Sequence, residues 1–252
     1  MTAFSWDARL KRAEELEHRT PAGAEVLSFY KAIAKFQRGI FDAFTSSGET
    51  SIEPLFEFIP ELTRLVARSA PTQMRDAAQQ FRKADWEPKI REQWSNPADP
   101  QSLAEFEFFF VRALLQPYAE FVMQRGAPAG AHAPIACPFC SALPCVAVLR
   151  GEGEGAKRFL LCSLCATEWE FRRVKCPGCG EEDKDNLPVF VEEDPACVRI
   201  EACDTCRGYL KAVDLTKNGH AVPIVDEIAT VWLNVFAEEN GYRKIQPNLL
   251  CM

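Results

Sequence analysis

The sequence predicts an α+β chain: an N-terminal all-helical domain, then two tandem four-cysteine ribbon modules and a C-terminal helix. Three observations carry this expectation. Four Cys-x-x-Cys pairs (Cys137/Cys140, Cys162/Cys165, Cys176/Cys179 and Cys203/Cys206) lie within 70 residues, whereas residues 1–136 hold no cysteine. Before residue 125, apolar residues recur every three or four positions, the helical period. The intervals between paired turns are 21 and 23 residues long, enough for one hairpin each. The expected organisation is a helical domain over residues 1–125, a linker over 126–136, a first module over 137–175, and a second over 176–252 that includes the closing helix.

The N-terminal stretch MTAFSWDARLKRAEELEHRT has no apolar run and no small-residue cleavage site, so it does not read as a secretory signal. From Glu25, the residues Val26, Tyr30, Ile33, Phe36, Ile40 and Phe44 form one apolar stripe, with Pro21 and Gly23 before it and Gly48 after it. Leu55, Phe58, Leu62 and Leu65 predict a second helix closing near Pro71. Residues 72–95 predict one or two shorter helices with Met74, Ala78, Phe81 and Trp86 inward, and residues 102–124 a phenylalanine-rich helix kinked or broken at Pro117. Phe106, Phe108, Phe109 and Phe110 read as helix–helix core rather than a docking surface. Residues 103–115 are interrupted by Glu105, Glu107 and Arg112 and are too short to span a bilayer, so no membrane insertion is expected.

The Gly/Ala/Pro-rich stretch 126–136 reads as the linker and contains His132, which is not needed as a ligand because the cysteines alone complete a tetrahedron. Beyond it, residues 146–149 and 159–161 predict short strands around the loop 151–155, and residues 188–191 and 198–201 repeat the plan, as in an internal duplication. Residues 226–240 predict an amphipathic helix burying Ile228, Val231, Trp232, Val235 and Phe236, with Gly241 at its end.

A Cys-x-x-Cys turn presents two thiolates on one side of a tight loop, so two turns close a tetrahedral S4 cage. A hairpin brings its own ends together, whereas crossed pairing would thread strands. The expected ligand sets are therefore Cys137, Cys140, Cys162 and Cys165, then Cys176, Cys179, Cys203 and Cys206, each around one mononuclear metal ion. A closed cage leaves no position for water or substrate, which argues against hydrolytic catalysis and for a non-enzymatic role. Thiolate tetrahedra suit zinc and iron alike. The full knuckle Cys-Pro-Gly-Cys-Gly at 176–180 is of rubredoxin-like or zinc-ribbon type and leaves the metal open. Ser141 stands where that knuckle has glycine, a penalty if the position needs positive φ. Cys145 and Cys197 read as buried structural thiols, and Cys251 as exposed.

The net charge is −7, and residues 137–252 carry 13 basic against 18 acidic side chains before any thiolate is counted. Such a balance is poorly suited to displacing counterions from DNA or RNA, so nucleic-acid binding is not expected. Arg172, Arg173 and Lys175 form the one tight basic cluster. The two arginines are expected to contribute to partner contact, against the plainer reading of 168–173 as a solvated connector.

The run 161–169, Leu-Cys-Ser-Leu-Cys-Ala-Thr-Glu-Trp, continues through Arg172, Arg173, Val174 and Lys175 into the second module's knuckle. With the segments 204–211 and 223–230 and Gly241-Tyr242, it resembles the formate dehydrogenase accessory proteins, the FdhE family. The resemblance covers most of residues 137–245. It implies a cytoplasmic, non-enzymatic maturation factor that binds the catalytic subunit of a respiratory molybdenum formate dehydrogenase before its export. It also implies rubredoxin-like iron in the cysteine sites, with zinc as the alternative. Two further readings remain: a rubredoxin-like electron carrier, and a nucleic-acid-binding zinc ribbon.

Overall fold

The computed structural model describes residues 5–19, 23–72, 74–76, 86–97, 103–126, 135–153, 155–192 and 197–252. Most of the expected linker, His132, Ala78 and Phe81 lie outside these.

Helix α1 (Trp6–Arg19) begins where the Ser5 hydroxyl accepts the Ala8 N–H at 3.2 Å, a serine N-cap interaction. Its charged sequence conceals a buried face made of Trp6, Arg9, Arg12 and Ala13. Arginines tolerate this burial only when paired. Arg9 makes a two-pronged contact with Glu120 at 2.8 and 3.0 Å, and Arg12 makes another with Asp226 at 2.6 and 3.0 Å. These two forks tie the first helix to the middle and to the end of the chain.

Helix α2 (Ala24–Ser47) follows the predicted stripe and stops at Gly48, whose φ of 71° lets its N–H reach Phe44 O at 2.9 Å. Val26 is only half-buried, and Leu27 and Phe29 fill the space instead. The second apolar series splits into a 3-10 turn (Glu53–Phe58) and α3 (Ile59–Ser69), which ends just before Pro71 as the restriction on residues preceding proline requires. Helix α4 (Trp86–Ser95) brings Trp86 inward to stack on Phe110 at 5.2 Å.

Helix α5 (Glu105–Gln124) runs through Pro117 without ending. Proline cannot donate to the carbonyl four residues earlier, and here Gln37 Nε2 bonds that Ala113 O at 3.1 Å. The phenylalanines are core: Phe108, Phe109 and Phe110 are buried on different sides of the helix. Phe109 meets Phe29, Phe110 meets Trp86, and Arg112 lies over Phe108.

The second half forms one sheet in the order β3-β2-β1-β6-β5-β4, with β7 beside β6. The strands are β1 (Pro144–Glu152), β2 (Gly155–Cys162), β3 (Glu168–Glu170), β4 (Val189–Val191), β5 (Val198–Ala202), β6 (Gly208–Asp214) and β7 (Arg243–Lys244). Each ribbon is antiparallel within itself, and the two join through the parallel pair β1·β6, from Val146 opposite Lys211 to Leu149 opposite Asp214. The expected loop 151–155 is shorter than predicted, because Gly151 and Glu152 pair with Ala156 and Gly155. Three strands were not expected at all: β3, in the supposed connector, β6, at the sheet's centre, and the short β7 beside it.

Val146, Val148, Ile200, Tyr209 and Val213 cluster under the C-terminal helices, while Ala147, Leu160, Leu210 and Ala212 pack with Phe171. The single C-terminal helix of the sequence reading is two: α6 (Pro223–Ala229) and α7 (Val231–Glu239), parted at Thr230. The physical reason is Lys211, buried on β6, whose Nζ donates to Glu227 O at 2.5 Å and Thr230 O at 3.1 Å. The break rotates α7, so Leu233 and Ala237 turn inward with Ile228, and Val235 is exposed. The tail also departs from expectation. Cys251 is half-buried with its thiol on Glu105 O at 2.9 Å, and Asn248 reaches Glu227 at 2.7 Å.

Candidate metal centres

Each Cys-x-x-Cys turn is built the same way. The N–H of the first cysteine bonds the carbonyl just beyond the turn: Cys137 to Ala142 (2.9 Å), Cys162 to Thr167 (2.9 Å), Cys176 to Glu181 (2.8 Å) and Cys203 to Gly208 (2.9 Å). Closing so tight a loop needs positive φ one residue after the second cysteine. Ser141 (63°), Ala166 (52°), Gly180 (84°) and Arg207 (57°) all have it. The Ser141 departure is therefore real strain, of about 1–2 kcal/mol for a residue with a Cβ. Ser141→Gly is expected to stabilise the fold, raising the unfolding free energy by about 1 kcal/mol, which a urea titration reads. An unchanged midpoint would show that the hydroxyl compensates.

The turns gather all eight predicted cysteines into two groups, Cys137, Cys140, Cys162 and Cys165, and Cys176, Cys179, Cys203 and Cys206, with the four sulfurs of each within 4.8 Å of one another. Cys137 and Cys165 sulfurs are 3.6 Å apart, Cys140 and Cys162 3.3 Å, and Cys140 and Cys165 3.5 Å. In the second group, Cys176–Cys206 and Cys179–Cys203 are each 3.7 Å apart. A tetrahedron with metal–sulfur bonds of about 2.3 Å has edges of about 3.8 Å, so both groups fit one tetrathiolate ion with little adjustment. No disulfide joins any cysteine among the described residues.

Backbone amides support the anionic form of the sulfurs. Leu164 and Cys165 N–H groups point at Cys162 Sγ (3.3 and 3.4 Å), and Gly178 N–H points at Cys176 Sγ (3.3 Å). Hydrogen bonds from Cys140, Cys162 and Cys165 hold the Cys137 thiol well below the usual range, while burial pushes Cys162 up. A group of thiols divided in this way loses protons readily to a cation.

The two groups sit in different surroundings. The first shares its core with the helices: Cys137, Cys162 and Cys165 are buried, and Gln116 Nε2 bonds Ser163 O at 2.8 Å. Arg112, buried on α5, lies within electrostatic reach of Cys162 and Cys140; burial lowers its pKa and their negative charge opposes that. It is a counter-charge the sequence reading missed, because nothing local marks an arginine within a phenylalanine-rich helix as facing a ribbon. In the second group, Cys179 and Cys206 are exposed. The remaining buried thiols are unreactive by environment, with burial pushing Cys145 up to about 12 and also raising Cys197. The basic run divides: Arg172 and Lys175 share Glu182 at 2.8 and 2.9 Å, whereas Arg173 bonds only Ala156 O among the described residues. No helix among the described residues is long and apolar enough to cross a membrane.

These features define a class: a helical unit packed on one continuous sheet that carries two four-cysteine cages. Residues 136–173 match the central domain of FdhE, and residues 174–251 match its C-terminal domain. The cysteine-rich half of the chain, residues 136–251, is therefore similar to the FdhE family. A protein FdhE homolog from Aquifex aeolicus is 39% identical over 116 residues, covering 45% of this chain and 41% of the relative. One from Pseudomonas aeruginosa is 37% identical over 134 residues, covering 51% and 43%. The matched stretch thus spans less than half of these curated relatives. The crystal structure of the FdhE protein from Pseudomonas aeruginosa superimposes with a TM-score of 0.74 at 24% identity, covering 99% of this chain and 97% of that one, so the fold is shared beyond the cysteine-rich half.

Proposed function

We propose that this chain is a cytoplasmic, non-enzymatic maturation factor that binds the catalytic subunit of a formate dehydrogenase before its export. The observation that carries this reading is the pair of closed four-sulfur cages in a chain whose residues 136–251 match the FdhE central and C-terminal domains. All four positions of each tetrahedron are filled by Cys137, Cys140, Cys162 and Cys165, or by Cys176, Cys179, Cys203 and Cys206, which leaves no site for substrate. A bound ion would supply folding free energy and, if it is iron, one-electron chemistry. Iron follows from the family resemblance, and zinc is the alternative.

Co-expression with a tagged formate dehydrogenase catalytic subunit tests the binding: co-purification is expected, and its absence under anaerobic conditions would overturn the reading. Elemental analysis of the anaerobically purified chain is expected to give two ions per chain. Thiolate-to-ferric absorption bands would identify iron, and a colourless protein with two zincs would make the cages structural. One observation favours a second reading, electron transfer at the second cage: Cys179 and Cys206 are exposed, so that cage is open to approach from solvent. A reversible one-electron titration would support it.

A further inference from the structure

Beside the second cage, the sheet and the preceding turn enclose a cleft of about 370 Å³, within the range of ligand-binding cavities. Its wall carries Arg158, Arg173, Lys175, Lys184 and Arg199 against one carboxylate, Glu201. In a chain of net charge −7, this concavity concentrates the opposite sign. The positive charge is only partly answered. Glu201 is shared by Arg158 at 2.8 Å and Arg199 at 2.5 Å, and Lys175 shares Glu182 with Arg172. Arg173 and Lys184 have no carboxylate partner among the described residues, and both are exposed.

The same cleft has an apolar side. Val174 and Val189 line it and are 47% and 50% exposed. Val189 begins β4, which ends the sheet and pairs only with β5 among the described residues. A short edge strand beside a pocket is the arrangement that accepts an added extended strand: backbone groups give affinity, and alternate side chains enter the pockets.

We propose that this cleft docks an extended acidic peptide segment of the partner protein. Carboxylates of the segment meet Arg173 and Lys184, and an apolar side chain covers Val174 and Val189. The inference rests on the partner-binding role above and names its surface. The exposed valines and the strand edge distinguish the fit from that of a nucleic acid, which would need a longer basic track.

The test uses the full metal-loaded chain and a fluorescein-labelled decapeptide alternating glutamate and valine. Saturable binding that weakens with added salt is expected. Replacing the peptide's glutamates by glutamine, or combining Arg173→Glu with Lys184→Glu, is expected to weaken it about tenfold or more. Both substituted side chains are exposed and outside the cages, so metal content and melting temperature serve as folding controls. Undiminished affinity in the double variant, equal binding of the glutamine peptide, or tighter binding of a single-stranded oligonucleotide through the same residues would overturn the proposal. Co-purification separates the two levels. If both the parent and the double variant retain the catalytic subunit, the cleft is wrong and the partner role stands. If neither does while the acidic peptide still binds the parent, the partner role fails and the cleft stands.

Discussion

Cys162→Ser is expected to release one of two metal ions and to lower stability by about 4 kcal/mol or more, loss of a metal site being among the few changes that cost so much. Cys179→Ser is expected to release the other ion at a smaller structural cost. The difference follows from position. Cys162 ends β2, receives two backbone N–H groups and lies in the core that α2 and α5 share with the first ribbon. Cys179 is exposed, and its cage touches solvent on two sides. Metal analysis with urea unfolding followed by helical circular dichroism checks both variants. Retention of two ions in Cys162→Ser would refute the ligand assignment. Equal loss of helical cooperativity in the two variants would refute the asymmetry.

Lys211→Met is expected to cost about 3 kcal/mol, the low end for removing one partner from a buried ion pair, because Lys244 and Asn248 stay on Glu227. The ammonium is fully buried, 2.9 Å from Glu227 Oε1, and it also satisfies the carbonyls of Glu227 and Thr230. Burial is the largest influence on Lys211, and it lowers the pKa from 10.5 to about 8. Burial alone would raise Glu227, but Lys211, Lys244 and Asn248 outweigh it and leave that carboxyl below its usual range. Between about pH 8 and pH 10.5, the unfolded chain therefore keeps a proton that the folded chain has shed. Stability contributed by this group rises with pH across that window. The parent is thus expected to gain on the variant between about pH 7 and about pH 10. Denaturant midpoints at the two pH values check this, and parallel pH profiles would show that Lys211 does not titrate there.

The cysteine grouping was legible because its signal is local: four paired turns, spaced so that each hairpin returns its own ends. The stripe on α2 and the core role of Phe108, Phe109 and Phe110 were legible for the same reason, since helical packing repeats within a few residues. What was missed depends on partners far away in the chain. Nothing local marks Arg9 and Arg12 as buried, because their partners Glu120 and Asp226 lie more than 100 positions away. Lys211 interrupts an otherwise apolar strand and so hides it, because its partner Glu227 stands on a later helix. That same contact breaks the C-terminal helix at Thr230, which no cap residue announces. Pro117 pointed to a kink because the donor that replaces its missing N–H, Gln37, comes from another helix. The parallel junction of the two ribbons has no hairpin turn to announce it.

That junction has a consequence for how the protein is made. Val146 and Lys211 are 65 positions apart, and parallel pairing over such a separation forms late. Until both ribbons have closed, β1 and β6 are each an uncovered border carrying Val146, Val148, Leu210 and Val213. A chain starved of metal is therefore not merely missing an ion. With the metal loading proposed above, it is expected to stay at the stage where these borders are uncovered and prone to pair with other chains.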